Sequence, residues 1–160
     1  MAEHAAVGLC VRSLDRGDEL YARNADAAFV PASNQKLLVA AAALDALGPD
    51  FSFTTRVLAL GPRRGGTLLG DLVLQGGGDP MLTTEGLAAL AEGVAAAGIR
   101  RVTGRVRGDD SIFDRQRRGA GWSWDDEAFP YAAPISGLTL NGNTVGVEVR
   151  AGPRPGMPWS

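Results

Sequence analysis

Residues 31–49 read PASNQKLLVAAAALDALGP, and this stretch decides the fold. A proline-led loop runs into Ser33, after which leucine, valine and alanine fill nearly every position up to Leu47. Gly48 followed by a proline is a common way for a helix to end. We therefore predict a helix from about residue 33 to residue 47. Because it has almost no polar face after its first turn, we expect it to be buried at the centre of a domain.

Strand and helix patterns continue on both sides of this helix. Upstream, two apolar strands are separated by a turn, which predicts a buried hairpin. Downstream, a strand–helix–strand unit is typical of α/β structure, and a second hairpin is predicted around Asn141-Gly142-Asn143. The fold class is α/β (mixed α+β), and we place a domain boundary at the glycine-rich loop, between domains 1–61 and 62–160. The predicted elements are strands at 6–14, 19–24, 53–60, 67–75, 101–107, 135–140 and 144–150, and helices at 33–47 and 84–97.

The composition excludes several classes of protein. A net charge of −2 over 160 residues gives no reason to expect nucleic acid or an anionic membrane as partner. The single Cys10 excludes an internal disulfide, and the single His4 excludes a histidine metal cluster. We therefore expect no metal and no cofactor. The sequence does not indicate an oligomeric state.

Ser33 and Lys36 are the candidate catalytic pair. Of the 16 basic residues, only Lys36 is a lysine, and unlike arginine a lysine can lose its proton and act as a base. The two residues are three apart on one helix face, and a serine hydroxyl needs an adjacent base to become a nucleophile. We expect the buried helix and the positive end of its dipole to disfavour the charged ammonium. The alternative is an N-cap serine beside a solvated lysine.

A longer, ordered set of motifs resembles one protein family. It is similar to the class C low-molecular-mass penicillin-binding proteins, the D-alanyl-D-alanine carboxypeptidase/endopeptidases of peptidase family S13. The matching stretches are 31–38 (PASNQKLL), 47–51 (LGPDF), 53–56 (FTTR), 70–74 (GDLVL), 77–80 (GGDP), 104–106 (GRV), 110–113 (DSIF), 121–126 (GWSWDD) and 155–156 (PG).

The resemblance implies a fold and a reaction. The fold would be a partial penicillin-binding, β-lactamase-like transpeptidase domain followed by part of an inserted α/β domain. Ser33 would attack the carbonyl between the two D-alanines of a peptidoglycan stem peptide, and Lys36 would accept its proton. β-Lactams would acylate the same serine as covalent inhibitors. Members of the family work outside the cytoplasmic membrane, so an extracytoplasmic location is expected.

Residues around the two neighbouring tryptophans form a second candidate site. A carboxylate beside aromatic rings can hold an ammonium through its charge and through the ring faces. The resemblance implies that Trp122 and Asp125 contribute to a pocket for the amino-terminal end of the peptide side chain, with Tyr131 as a further candidate. The alternative is a loop anchored in the core by its tryptophans, with solvated acids.

The chain departs from the family in what it lacks. Such enzymes combine Ser-x-x-Lys with Ser-x-Asn and Lys-Thr-Gly elements. No Ser-x-Asn occurs here, and Lys-Thr-Gly is impossible because Lys36 is the single lysine. No secretory leader precedes the first strand, and the sequence stops in a turn-rich stretch. We therefore expect an N-terminal fragment that is weak or inactive alone. The alternatives are a non-catalytic module that binds peptidoglycan or a partner, and a β-lactamase.

Overall fold

The computed structural model describes residues 5–150. The chain divides into two compact units, one up to Phe51 and the other from Ser52. The boundary predicted from the sequence lies ten residues later, after residue 61, and the strand at 56–60 pairs with the strand at 71–75. The elements are β1 Leu9–Arg12, β2 Glu19–Arg23, α1 Gln35–Leu47, β3 Arg56–Leu60, β4 Arg63–Arg64, β5 Thr67–Leu68, β6 Asp71–Gln75, α2 Thr84–Ala96, β7 Arg101–Val102 and β8 Val106–Asp109.

The first unit contains the predicted hairpin and the predicted helix. β1 and β2 pair antiparallel, from Leu9 opposite Arg23 to Arg12 opposite Glu19. α1 ends where the sequence indicates, because Gly48 adopts a φ of 81° and donates its N–H to the Leu44 carbonyl at 3.0 Å. Both predictions are confirmed. Among the described residues, no helix is both long enough and apolar enough to cross a membrane.

The predicted burial of α1 is wrong for this structure. Within the described part of the chain, every residue of α1 is exposed, and Leu37 reaches 72% exposure. A helix that is apolar on all sides needs neighbours on all sides. Residues 5–51 of the first unit supply only a two-stranded hairpin and a single 3-10 turn. For the same reason β1 is exposed along its whole length.

The second unit contains two three-stranded sheets that share one helical connection. In one sheet β6 lies between β3, antiparallel to it, and β8, parallel to it. In the other sheet β5 lies between β4, antiparallel to it, and β7, parallel to it. Both parallel pairs are joined through α2, as strand–helix–strand units require. The strand predicted at 67–75 is divided at Leu69 and Gly70. Gly70 lies against the Leu60 carbonyl, where an added Cβ would overlap the oxygen.

The ends of α2 are fixed by side chains and by glycine. Thr83 Oγ1 accepts the Gly86 N–H at 3.3 Å, and Asn141 Oδ1 accepts the Thr84 N–H at 3.2 Å. Gly98 follows the last turn with a φ of 83°. The core of the unit is small. Its buried apolar residues are Leu68, Val73, Ile99 and Ala132.

The hairpin predicted at 135–140 and 144–150 is wrong. The structure has no strand between residues 110 and 150, and Asn141–Asn143 form a 3-10 turn. The asparagine side chains occupy backbone groups that a ladder would need. Asn143 Oδ1 accepts the Leu140 N–H at 3.3 Å, and Asn143 Nδ2 donates to the Pro134 carbonyl at 2.9 Å. Three consecutive positive φ angles at 141–143 also exceed the two that a tight hairpin turn uses.

Candidate active site

Ser33 and Lys36 meet in the first unit. Ser33 lies in the 3-10 turn Ala32–Asn34 directly before α1, and Lys36 lies in the first turn of α1. Lys36 Nζ donates to Ser33 Oγ across 3.1 Å. This is the distance at which a neutral amine could instead accept the hydroxyl proton. Two of the predicted site residues are therefore in direct contact.

The backbone before Ser33 bends sharply. Ala32 has a φ of 45°, in the left-handed region that residues with a Cβ rarely adopt. The turn is closed by the Asn34 N–H, which donates to the Pro31 carbonyl at 3.0 Å. Strained residues of this kind are concentrated at functional sites. The bend places the Ser33 hydroxyl at the amino end of α1 rather than along its side.

The amino end of α1 supplies electrostatic support. The helix begins without a side-chain cap, and its first turn carries no acidic residue. The partial positive charge of the helix end is therefore not offset by a neighbouring carboxylate. Such an end stabilises negative charge that develops on an attacked carbonyl oxygen. Lys36 itself is exposed, so the burial that the sequence predicts around its amine is absent in this structure.

The second unit contains a small cavity of about 150 Å³ in the aromatic loop. Indole rings form part of its wall, and an arginine and a glutamate provide its charged groups. Because it is open to solvent on one side, a ligand could enter without a change of fold. The lining residues are Arg118, Gly119, Trp122, Ser123, Trp124, Glu127 and Ala132.

The structure does not bring the three predicted binding residues together in this cavity. Trp122 lines the cavity. Asp125 lies in a 3-10 turn, and its backbone N–H donates to Ser123 Oγ at 3.3 Å. The Tyr131 hydroxyl donates to Asp126 Oδ1 at 2.8 Å, and this bond raises the pKa of Tyr131. The Tyr131 ring stacks on Phe129 with 5.3 Å between ring centres. Tyr131 therefore has local partners outside the cavity lining.

The charged residues of the cavity are ones that sequence reasoning did not single out. Arg118 and Glu127 form an ion pair, and both line the cavity. The sequence signal that could have indicated this ion pair is the placement of Arg118 before the two tryptophans and of Glu127 after them. Sequence alone does not show which of three consecutive acids turns towards Arg118.

A second charged cluster anchors this loop. Asp110 accepts hydrogen bonds from Arg117 and from Ser136 Oγ, the latter at 3.3 Å. The bond from Arg117 is the main reason why the pKa of Asp110 lies below its usual value. The Ile135 N–H donates to the Arg117 carbonyl at 2.8 Å. These contacts join the beginning and the end of the aromatic loop, so Asp110 has a structural role here.

Among residues 5–150, no three acidic, cysteine or histidine side chains lie close enough together to hold a metal ion. His4 and the family motif at 155–156 lie outside the described residues. Ser33, the Lys36 amine and the amino end of α1 together form the arrangement expected of a serine nucleophile with a neighbouring base.

Comparisons with known proteins identify similar sequences and solved structures. The chain is 46% identical over 139 residues to a D-alanyl-D-alanine carboxypeptidase from an Actinomadura strain. The aligned region covers 86% of this chain and 26% of that protein. It is similar to the crystal structure of penicillin binding protein 4 from Haemophilus influenzae, with a TM-score of 0.78 and 32% identity, over 85% of this chain and 30% of that one. A structure of the same protein complexed with a novel beta-lactam matches with a TM-score of 0.61 and 32% identity, over 67% of this chain and 25% of that one.

The chain thus spans about a quarter to a third of the length of these relatives. The match to a solved penicillin-binding protein confirms the expected fold, a partial transpeptidase-like domain of mixed α/β class. Residues 2–159 match the family described as D-Ala-D-Ala carboxypeptidase 3 (S13). This match covers nearly the whole sequence, and the chain belongs to that family.

Proposed function

We propose that this chain carries the nucleophile of a serine-type D-Ala-D-Ala carboxypeptidase/endopeptidase that acts on peptidoglycan stem peptides. The observation that carries the proposal is the 3.1 Å contact between Lys36 Nζ and Ser33 Oγ at the amino end of α1. Membership of the S13 family and the name of the Actinomadura relative support the same reaction. No cofactor is needed for it.

The proposed reaction proceeds in two steps. Ser33 Oγ forms a bond to the carbonyl carbon between the two D-alanines, while its proton passes to the neutral Lys36 amine. Lys36 then gives that proton to the departing D-alanine nitrogen as the C–N bond breaks, which leaves an ester on Ser33. Water attacks the ester in the second step, loses a proton to Lys36 and releases the shortened peptide. Ser33 recovers its proton from Lys36.

The aromatic loop is proposed to bind the amino-terminal end of the peptide side chain. Trp122 lines the cavity of the second unit, and an indole ring can bind an ammonium group through its face. Asp125 and Tyr131 remain predicted binding residues. In this structure Asp125 bonds to Ser123 and Tyr131 bonds to Asp126, and these contacts support only an indirect role in peptide binding, namely fixing the conformation of the loop.

Two further expectations accompany this function. A β-lactam would acylate Ser33 because its strained carbonyl replaces that of the scissile bond, and one relative has been solved in complex with a beta-lactam. We also propose an extracytoplasmic location, because that is where peptidoglycan lies. Hydrolysis by residues 1–160 alone should be weak, since the sequence lacks Ser-x-Asn and Lys-Thr-Gly and α1 is exposed.

A fluorescent penicillin tests the proposal. We expect covalent label on the 160-residue chain, located on Ser33 by mass spectrometry of the digested protein. Ser33→Ala should abolish the label and Lys36→Ala should slow it by about 10²–10⁴-fold, the usual contribution of a general base. Ser13→Ala is a matched control, because Ser13 lies in the turn between β1 and β2 and should not affect labelling.

The other outcomes distinguish the alternatives. A folded chain that takes no label but binds peptidoglycan would be a non-catalytic module and would contradict the proposal. Rapid turnover of the penicillin, rather than a long-lived adduct, would indicate a β-lactamase. Release of D-alanine from a D-Ala-D-Ala peptide, even if slow, would support the carboxypeptidase directly.

A further inference from the structure

The Trp122 indole lies directly on Gly119. An added Cβ at Gly119 would meet Trp122 Nε1 at 2.6 Å and Cδ1 at 3.0 Å, so a hydrogen is the largest group that fits between them. The backbone N–H of Trp122 also donates to the Gly119 carbonyl at 3.3 Å. The φ angle of Gly119 is not positive, so its backbone lies outside the left-handed region that favours glycine. Glycine is therefore required at this position by the indole and not by the chain path.

An ion pair closes the loop around the same ring. Arg118 precedes Gly119, and its guanidinium bonds to the Glu127 carboxylate nine residues later. The two side chains are 43% and 33% exposed, so the pair is partly screened by solvent. Both of them line the cavity that has Trp122 in its wall. The pair therefore holds the two ends of the tryptophan-bearing segment together.

We propose that Gly119 and the Arg118–Glu127 ion pair are positioning residues, which fix the Trp122 indole as a wall of the cavity and thereby set its affinity for the peptide. This inference rests on the proposed function, because it takes the cavity as the site for the amino-terminal end of the peptide side chain. It does not make Arg118 or Glu127 a ligand of the peptide. Their charges neutralise each other within the loop.

The size of the cavity makes the position of the ring important. At about 150 Å³ it holds one small group, such as an ammonium with its neighbouring carbons. A Cβ at Gly119 would have to move from 2.6 Å to an ordinary contact of about 3.6 Å, so the indole would shift by about 1 Å. A shift of that size is enough to disturb a ring–cation contact.

The test uses Trp122 as its own reporter. In the 160-residue chain, Trp124→Phe and Trp159→Phe leave Trp122 as the single tryptophan. Acrylamide quenching then measures how accessible the ring is, and titration with L-Lys-D-Ala-D-Ala measures affinity. Gly119→Ala should raise the quenching constant about twofold and weaken peptide binding about fivefold to tenfold. Gly146→Ala is the matched control, because a Cβ there meets nothing within 4 Å.

Charge exchange provides a second, independent test. Arg118→Glu and Glu127→Arg alone should each weaken peptide binding about twofold to fivefold, as expected for an exposed ion pair. The two changes together restore the pair in reversed order and should restore both the affinity and the quenching constant. A structural role without effect on binding would move the quenching constant only, so unchanged affinity in Gly119→Ala would overturn the inference. So would a double variant no better than the single ones.

The result also separates this inference from the function it rests on. If the parent chain is folded by circular dichroism but binds no peptide, the proposed role of the cavity fails. The quenching data then still decide whether Gly119 and the ion pair position the ring. If Gly119→Ala does not fold, the charge-exchange variants decide the question alone.

Discussion

Leu68 should dominate the stability of the second unit. Among the described residues it is the one large side chain that is fully buried, at 0% exposure, and Leu69 beside it is 41% exposed. Leu68→Ala removes three carbon groups at about 0.8 kcal/mol each, which is about 2.4 kcal/mol, and the cavity left behind raises the loss to about 3–4 kcal/mol. Leu69→Ala removes the same groups from a solvated position and should lower the free energy of unfolding by about 1 kcal/mol.

Urea denaturation followed by tryptophan fluorescence measures both variants. All three tryptophans lie after Ser52, so their emission reports on the second unit. With a dependence of about 1–1.5 kcal/mol per molar urea for a unit of this size, Leu68→Ala should lower the midpoint by about 2–4 M and Leu69→Ala by about 0.7–1 M. Equal shifts in the two variants would refute the assignment of Leu68 as the centre of the core.

Three further predictions follow from single positions. The Arg105 N–H and the Arg107 guanidinium lower the pKa of Asp71 below its ordinary value of 3.8. The ionised Asp71 carboxylate therefore stabilises the fold fully above pH 3.8, and this stabilisation is lost as the pH falls through the lower pKa of the folded state. Between pH 4 and 2 the urea midpoint should fall less in Asp71→Asn than in the parent, and parallel curves would contradict this. Ala32→Gly relieves a positive φ and should stabilise the first unit by about 1 kcal/mol in thermal melts, whereas Ala42→Gly inside α1 should destabilise it by about as much. Gly104→Ala places a Cβ on Asp71 Oδ1 and should lower the free energy of unfolding by about 1–3 kcal/mol, whereas the equivalent change in an open stretch of α2, Gly93→Ala, should raise it by about 0.5–1 kcal/mol.

Local signals in the sequence predicted the elements that depend on local chemistry. The end of α1 at Gly48 and the first hairpin follow from glycine conformation and from alternating strands, and both are present. The contact between Ser33 and Lys36 follows from helical spacing, which brings residues three apart onto one face. These features need no information about distant parts of the chain.

Features that depend on distant contacts were not predictable in this way. Burial of α1 was inferred from its apolar composition, but burial requires neighbours, and the described first unit provides few. The second hairpin failed because Asn143 bonds to Pro134 and Asn141 bonds to Thr84, 57 residues away. The cavity residue Glu127 was missed because the partner that selects it, Arg118, is identified only by the folded loop.

The two parallel pairs of the second unit have the same separation along the chain. Thr67 pairs with Arg101 and Leu72 pairs with Val106, so each strand meets a partner 34 residues further on. Both sheets therefore depend on one connection, the loop and helix formed by the 25 or so residues between β6 and β7. A single protease cut before α2, near Met81, would leave two fragments joined only by main-chain hydrogen bonds and side-chain packing. Their dissociation would then separate both sheets at once.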